Sequence, residues 1–137
     1  MVTVRNPWGV GIGNSTVFGP RNLQTHNAYT QVSSELGVLG LFAYLVFLIR
    51  PYRVLSMIER RTLSEDSRIW FHSMAVGLQA SLIAYMVSSF FASVAYNWYV
   101  YYLVAYAICL RRIYKTETET ETGRLSLQGP HPRTGMD

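Results

Sequence analysis

Charge is missing from the middle of this chain. Between Arg68 and Arg111 there is no Asp, Glu, Lys or Arg, and the 42 intervening residues hold one imidazole, His72. A water-soluble domain needs charge on its surface elements every few residues, so this gap argues against a soluble helical bundle. Cysteine is almost absent as well. Cys109 is the only one in 137 residues, which excludes an intramolecular disulfide and gives no information on redox compartment. The first residues lack a positive segment followed by an apolar one, so no signal peptide is expected. The net charge of +4 does not point to nucleic acid. The arginines cluster beside apolar segments instead of forming a continuous basic stripe, which is the pattern of cytoplasmic flanks of membrane helices.

What is present is apolar and aromatic. Half the chain is hydrophobic, with ten tyrosines, six phenylalanines and three tryptophans. Residues 1–24 read as a loop, because "NPWGVGIGNS" and "FGPRN" are dense in Gly, Pro, Asn and Ser. Gly9, Gly11 and Gly13 do not make a dinucleotide site: the third glycine has the wrong spacing and no acidic residue follows at the proper distance. A first helix is expected over about 25–49, capped by Thr25 and stopped by Pro51. It would be roughly 37 Å long, enough to cross a hydrocarbon core of about 30 Å. Asn27, Gln31 and Glu35 would form a polar stripe on it, aimed at protein or water.

Residues 50–68 read as a charged connector with Arg50, Arg53, Arg60, Arg61 and Arg68 against Glu59, Glu65 and Asp66. A short interfacial helix fits there, with Ser64 capping the start of the next one. The uncharged residues 69–110 are too long for one span and suit two, divided at "SVAYNWY". Helices of about 69–93 and 97–112 are therefore expected. From 113 on, "TETETETG" and "GPHPRTG" predict a disordered tail. The expected class is all-α: a polytopic membrane protein fragment with about three transmembrane helices. The arginine bias puts the 50–68 connector and the C-terminus in the cytoplasm, and the 1–24 loop, His26 and the 94–97 turn on the outer side.

The stretch "HNAYTQVSSELGVLG", His26 to Gly40, carries the candidate chemistry. If Thr25 caps the helix, His26 opens its first turn, where unpaired N–H groups attract anions such as phosphate. Arg21 lies just upstream and can serve the same anion. A neutral imidazole there would be a competent general base for a hydroxyl. An exposed polar residue or a cap explains the same histidine without catalysis. Gly37 and Gly40, with Ser33 one turn earlier, would let a neighbouring helix approach closely. Glu35 would pair or hydrogen-bond within the bundle. No metal site is expected.

His26-Asn27, nine residues, Gly37, two residues, Gly40 and then Leu41 resemble the signature of the bacterial O-antigen ligase/polymerase family, and the preceding "NPWGVGIGN" resembles the Asn-Pro…Gly-x-Gly stretch that often leads into it. The resemblance covers roughly residues 6–112. It implies a GT-C type membrane glycosyltransferase of the bacterial inner membrane, active in lipopolysaccharide or other surface polysaccharide biosynthesis. Such enzymes move a glycan from an undecaprenyl-diphosphate donor to a periplasmic acceptor, a lipid A-core sugar in ligases or another glycan in polymerases. No cofactor is implied. His26 would be the catalytic residue, Arg21 and Asn27 would contact substrate, and Gly37, Gly40 and Leu41 would complete the motif. Family members have many more spans. The resemblance therefore implies a C-terminal portion that works with N-terminal helices of the same protein and is inactive alone. A non-catalytic membrane assembly subunit remains the alternative.

Overall fold

The computed structural model describes residues 7–14, 26–63 and 68–127. Among these there are four helices and no strand: α1 (Ala28–Glu35), α2 (Gly37–Thr62), α3 (Ile69–Ser88) and α4 (Trp98–Leu127). The all-helical expectation holds, while the element boundaries differ from it in three places, each for a local reason.

The helix expected over about 25–49 is two helices. Leu36 caps α1, its N–H donating to the Val32 carbonyl at 2.9 Å. Gly37 then takes φ +73°, a left-handed conformation open to glycine at little cost, and the chain restarts as α2. Pro51 does not stop α2, which continues to Thr62 with Pro51 buried inside it. Proline removes one N–H, so the Phe47 carbonyl loses its usual donor, but packing on both sides holds the helix through it. Leu48, Pro51, Leu55, Ile58 and Thr62 are all buried in α2, and their alternating spacing of three and four keeps one face inward. The connector expected over 50–68 is therefore mostly helix. Residues 64–67, including Ser64 as the expected cap, lie outside the described residues. The residue before α3 is Arg68, which makes no side-chain cap bond.

The tail expected from 113 on is helical as far as Leu127. It grows from the apolar turns of α4, so it needs no nucleus of its own. Thr116, Thr118, Thr120 and Thr122 each donate their hydroxyl to the carbonyl four residues back, at 2.8–3.0 Å. Lys115 and Glu119 form an ion pair one turn apart. Arg68 reaches across from the start of α3 to Glu121 and to the Thr118 hydroxyl, and its guanidinium lies 5.5 Å from the Tyr114 ring centre. That cation at a helix N-terminus is unfavourable to the dipole of α3, and the Glu121 carboxylate offsets it.

Helices α2, α3 and α4 pack around Leu55, Ile58, Phe71, Ala75, Leu82, Ala107 and Leu110. A second cluster, Leu48, Val100 and Val104, joins α2 to α4, and a third seats Ala28 and Val32 of α1 against Ala95. Large apolar side chains nevertheless point mainly outward: Val38, Leu39, Phe42, Ile49, Trp70 and Ile83 are all exposed. Both α2 and α3 are long and apolar enough to cross a membrane, and only 17% and 22% of their most apolar stretches are buried within the chain. The core helix of a soluble protein would be mostly buried.

The third expected span does not meet the same measure. The uncharged run of α4 from Trp98 to Leu110 is only about 20 Å long, and Trp98, Tyr99, Tyr101, Tyr102 and Tyr106 lower its hydropathy. By length and composition the described residues supply two candidate spans, not three.

Candidate functional site

The candidate site gathers at the end of the bundle where α2 begins and α3 finishes. It is built on Asn27. Its backbone is extended and its Oδ1 accepts from the Tyr29 and Thr30 N–H groups at 2.9 and 3.1 Å. Asparagine is a strong N-cap, and here it starts the helix two residues later than the expected cap Thr25, which lies outside the described residues. His26 thus precedes the cap instead of opening the first turn, and it is exposed.

The shift changes the expected chemistry of the helix start. The Ala28 N–H donates to the Ser89 carbonyl at 2.8 Å, which ties α1 to the end of α3. Gln31 N–H donates to the Asn27 carbonyl at 3.0 Å. The Ala28, Tyr29 and Thr30 N–H groups, which the helix itself leaves unpaired, therefore have partners inside the chain, and none of the three is left for a phosphate. Anion binding by this helix terminus, expected from sequence, is not what the structure presents. Arg21, the expected second anion ligand, lies outside the described residues.

The motif glycines serve a loop. Val10 N–H donates to the Ser34 carbonyl at 2.9 Å, Gly11 N–H to the Glu35 carbonyl at 3.0 Å, and Val38 N–H to the Pro7 carbonyl at 3.0 Å. Residues 7–11 are thereby clamped across the break between α1 and α2. A Cβ on Gly37 would overlap the Pro7 carbonyl oxygen, and one on Gly9 would overlap the Glu35 carbonyl oxygen. Both glycines have positive φ, +73° and +87°. Gly37 thus admits the 7–11 loop, and the neighbouring helix expected from small-residue spacing is not its partner. A Cβ on Gly40 would meet the Leu36 side chain, which the break turns toward it. Leu41 packs beside Ala28, Val32 and Ala95.

The polar stripe expected on α1 does face protein. Glu35 is 2% exposed and accepts from the Tyr96 hydroxyl at 2.8 Å. Burial, and then the hydrogen bond and charge of Glu35, raise the Tyr96 phenol well above its ordinary value. Gln31 Oε1 is buried without a donor among the described residues. Tyr29 donates its hydroxyl to the Met86 carbonyl at 3.0 Å and packs on Phe90, with ring centres 4.7 Å apart. A cleft of about 350 Å³ lies beside this end, walled by Val32, Leu36, Gly40, Tyr44 and Tyr96 among others; His26 is not part of its wall. Among the described residues no cluster of His, Cys, Asp or Glu can hold a metal.

Sequence reasoning missed Tyr96 as the partner of Glu35, because 61 residues separate them. It noticed "NPWGVGIGN" but gave no reason for the segment to touch Gly37. Comparison of the chain with models of protein families, with curated proteins and with solved structures gives no match.

Proposed function

We propose that this segment contributes the catalytic histidine of an inner-membrane glycosyltransferase of the O-antigen ligase/polymerase type. Its donor would be an undecaprenyl-diphosphate-linked glycan and its acceptor a hydroxyl on lipid A-core sugar or on another glycan, at the periplasmic face. The observation that supports this reading most is the junction of two pieces of the pattern. Asn-Pro…Gly-x-Gly and the Gly-x-x-Gly of the motif, separated in sequence, interlock backbone to backbone through Gly9 and Gly37. That junction fixes the end of α1 where α2 begins, and His26 stands exposed just before the other end of the same short helix.

In this reading the chain lies in the bilayer. The outward apolar faces of α2 and α3 meet hydrocarbon, Trp8, Trp98 and Tyr99 sit exposed at the outer level, and the arginines of α2 and α4 lie on the cytoplasmic side. His26 accepts the proton of the acceptor hydroxyl. The freed oxygen attacks the anomeric carbon, the bond from that carbon to the diphosphate breaks, and the diphosphate leaves with the electron pair. Cations must balance that charge; Arg21 is the nearest in sequence. The unpaired Gln31 Oε1 offers an acceptor to a sugar hydroxyl, which would end its buried, unsatisfied state.

The test is His26→Ala in a bacterium whose surface polysaccharide depends on the gene. A general base supplies about 10²–10⁴-fold, so glycan transfer should fall by at least 100-fold with unchanged protein in the membrane. Ordinary transfer would refute catalysis. It would favour a non-catalytic assembly subunit, a role for which the complete structural employment of Asn27 and Gly37 already gives some support.

A further inference from the structure

A larger cleft than the one beside Tyr96 lies between α2 and α4, and His26 is not part of its wall. Helices α2 and α4 run parallel: Gly40 and Tyr44 sit beside Val100, Phe47 beside Val104, and Met57 beside Tyr114 in successive clefts. Their uncharged runs end at Arg50 and at Arg111, about one turn apart along the pair. There a cleft of about 790 Å³ opens between them. Its long wall is apolar, formed by Phe47, Val54, Val104 and Ala107 with their neighbours. Its other members are Arg50, Arg53 and Arg111, and no carboxylate lines it.

These three guanidinium groups have no side-chain ion pair or hydrogen bond among the described residues. Arg68, by contrast, has Glu121, Thr118 and Tyr114 around it. The three side chains are exposed, and three like charges beside a greasy groove favour an anion that also brings an apolar body. A phosphate diester bearing long acyl chains satisfies both demands, because guanidinium matches phosphate oxygens in a bidentate fork.

We propose that the α2–α4 cleft is a binding site for an anionic phospholipid. Arg50, Arg53 and Arg111 hold the headgroup phosphate, and an acyl chain lies along Ala43, Phe47 and Val104. The site rests on the membrane reading above but not on glycan transfer. It lies partway down α2 and α4, away from the end of the bundle that carries His26, and its ligand is a structural or regulatory lipid of the inner leaflet.

The full chain, purified in detergent, would be titrated with phosphatidylglycerol or phosphatidylcholine in mixed micelles, and retained lipid counted by native mass spectrometry. Wild type should prefer phosphatidylglycerol. At about 5-fold per basic contact, the triple variant Arg50→Gln/Arg53→Gln/Arg111→Gln should bind roughly 100-fold more weakly. Arg112→Gln, next to Arg111 but outside the cleft, should bind as wild type does. Ala43→Phe fills the groove from an exposed position without touching charge, and should weaken binding several-fold. Helix content by circular dichroism verifies that each variant folds.

Equal loss in Arg112→Gln would show a general charge effect and overturn the site. Undiminished binding in the triple variant or in Ala43→Phe would overturn it as well. Displacement by millimolar inorganic phosphate would show a headgroup-only anion site and remove the lipid. Vesicle flotation of wild type reports the membrane reading separately. A chain left in the aqueous fraction overturns both, whereas one that floats without headgroup preference overturns the lipid site alone.

Discussion

Substituting Gly37 by alanine tests the interlock at the candidate site. Two penalties meet at this residue. A left-handed backbone costs an L-residue roughly 1–2 kcal/mol, and the new methyl group would overlap the Pro7 carbonyl oxygen. The chain escapes the overlap by releasing the 7–11 loop. Release forfeits three backbone hydrogen bonds, Val10 to Ser34, Gly11 to Glu35 and Val38 to Pro7. At about 1 kcal/mol each, docking weakens by about 3 kcal/mol, or on the order of 100-fold. Hydrogen exchange followed by mass spectrometry reads this directly. Peptides covering residues 7–14 should exchange up to about 100-fold faster, while those of α3 keep their protection. Gly9→Ala should give the same phenotype, and the double variant little more, since both substitutions break one contact. Gly77→Ala is the control: it lies in α3 with open space around its Cβ position, and should stabilise the chain by about 0.4–1 kcal/mol. Unchanged exchange over residues 7–14 in Gly37→Ala would refute the reasoning.

Asn27→Ala should cost about 0.5–2 kcal/mol through loss of its cap bonds to Tyr29 and Thr30, and Asn27→Asp should retain most of that; amide exchange within α1 is the measurement. Tyr96 sets an alkaline limit. Its phenol has an ordinary value of 10.0, and burial, followed by the Glu35 hydrogen bond and charge, raises it in the folded chain. A raised phenol contributes stability that is complete below pH 10 and is lost as pH climbs through the folded value. Tyrosinate absorbance should therefore lag that of exposed tyrosines, and Tyr96→Phe should reduce the alkaline loss of α1 protection, leaving the share due to Tyr29, whose phenol is likewise raised by burial.

The helical class and the apolar faces were legible in the sequence because they depend on composition over long windows. The start of α1 was not, because Thr25 and Asn27 are both good caps and only the carbonyl of Ser89, 61 residues on from Ala28, favours the second. Pro51 misled for a related reason. The rule that proline ends a helix holds when nothing packs against the next turn, and here Leu55 and Ile58 do. The Thr/Glu repeat reads as disorder by composition alone. It gains order from the helix it continues and from Arg68, a residue far away in sequence. His26, Asn27, Gly37 and Gly40 were found by pattern. What the pattern withheld was the occupation of the first-turn N–H groups, which removes the expected phosphate cradle.

The contact between Arg68 and the distal part of α4 has a mechanical consequence. From Arg111 to Leu127 the helix extends roughly 25 Å past its last apolar turn, and Arg68 bolts that extension to the foot of α3. The extension then behaves as a lever instead of a tether. When α3 and α4 tilt together the extension carries that tilt to its tip, so a fluorophore placed at Ser126 would register motions of the pair too slight to see nearer the core.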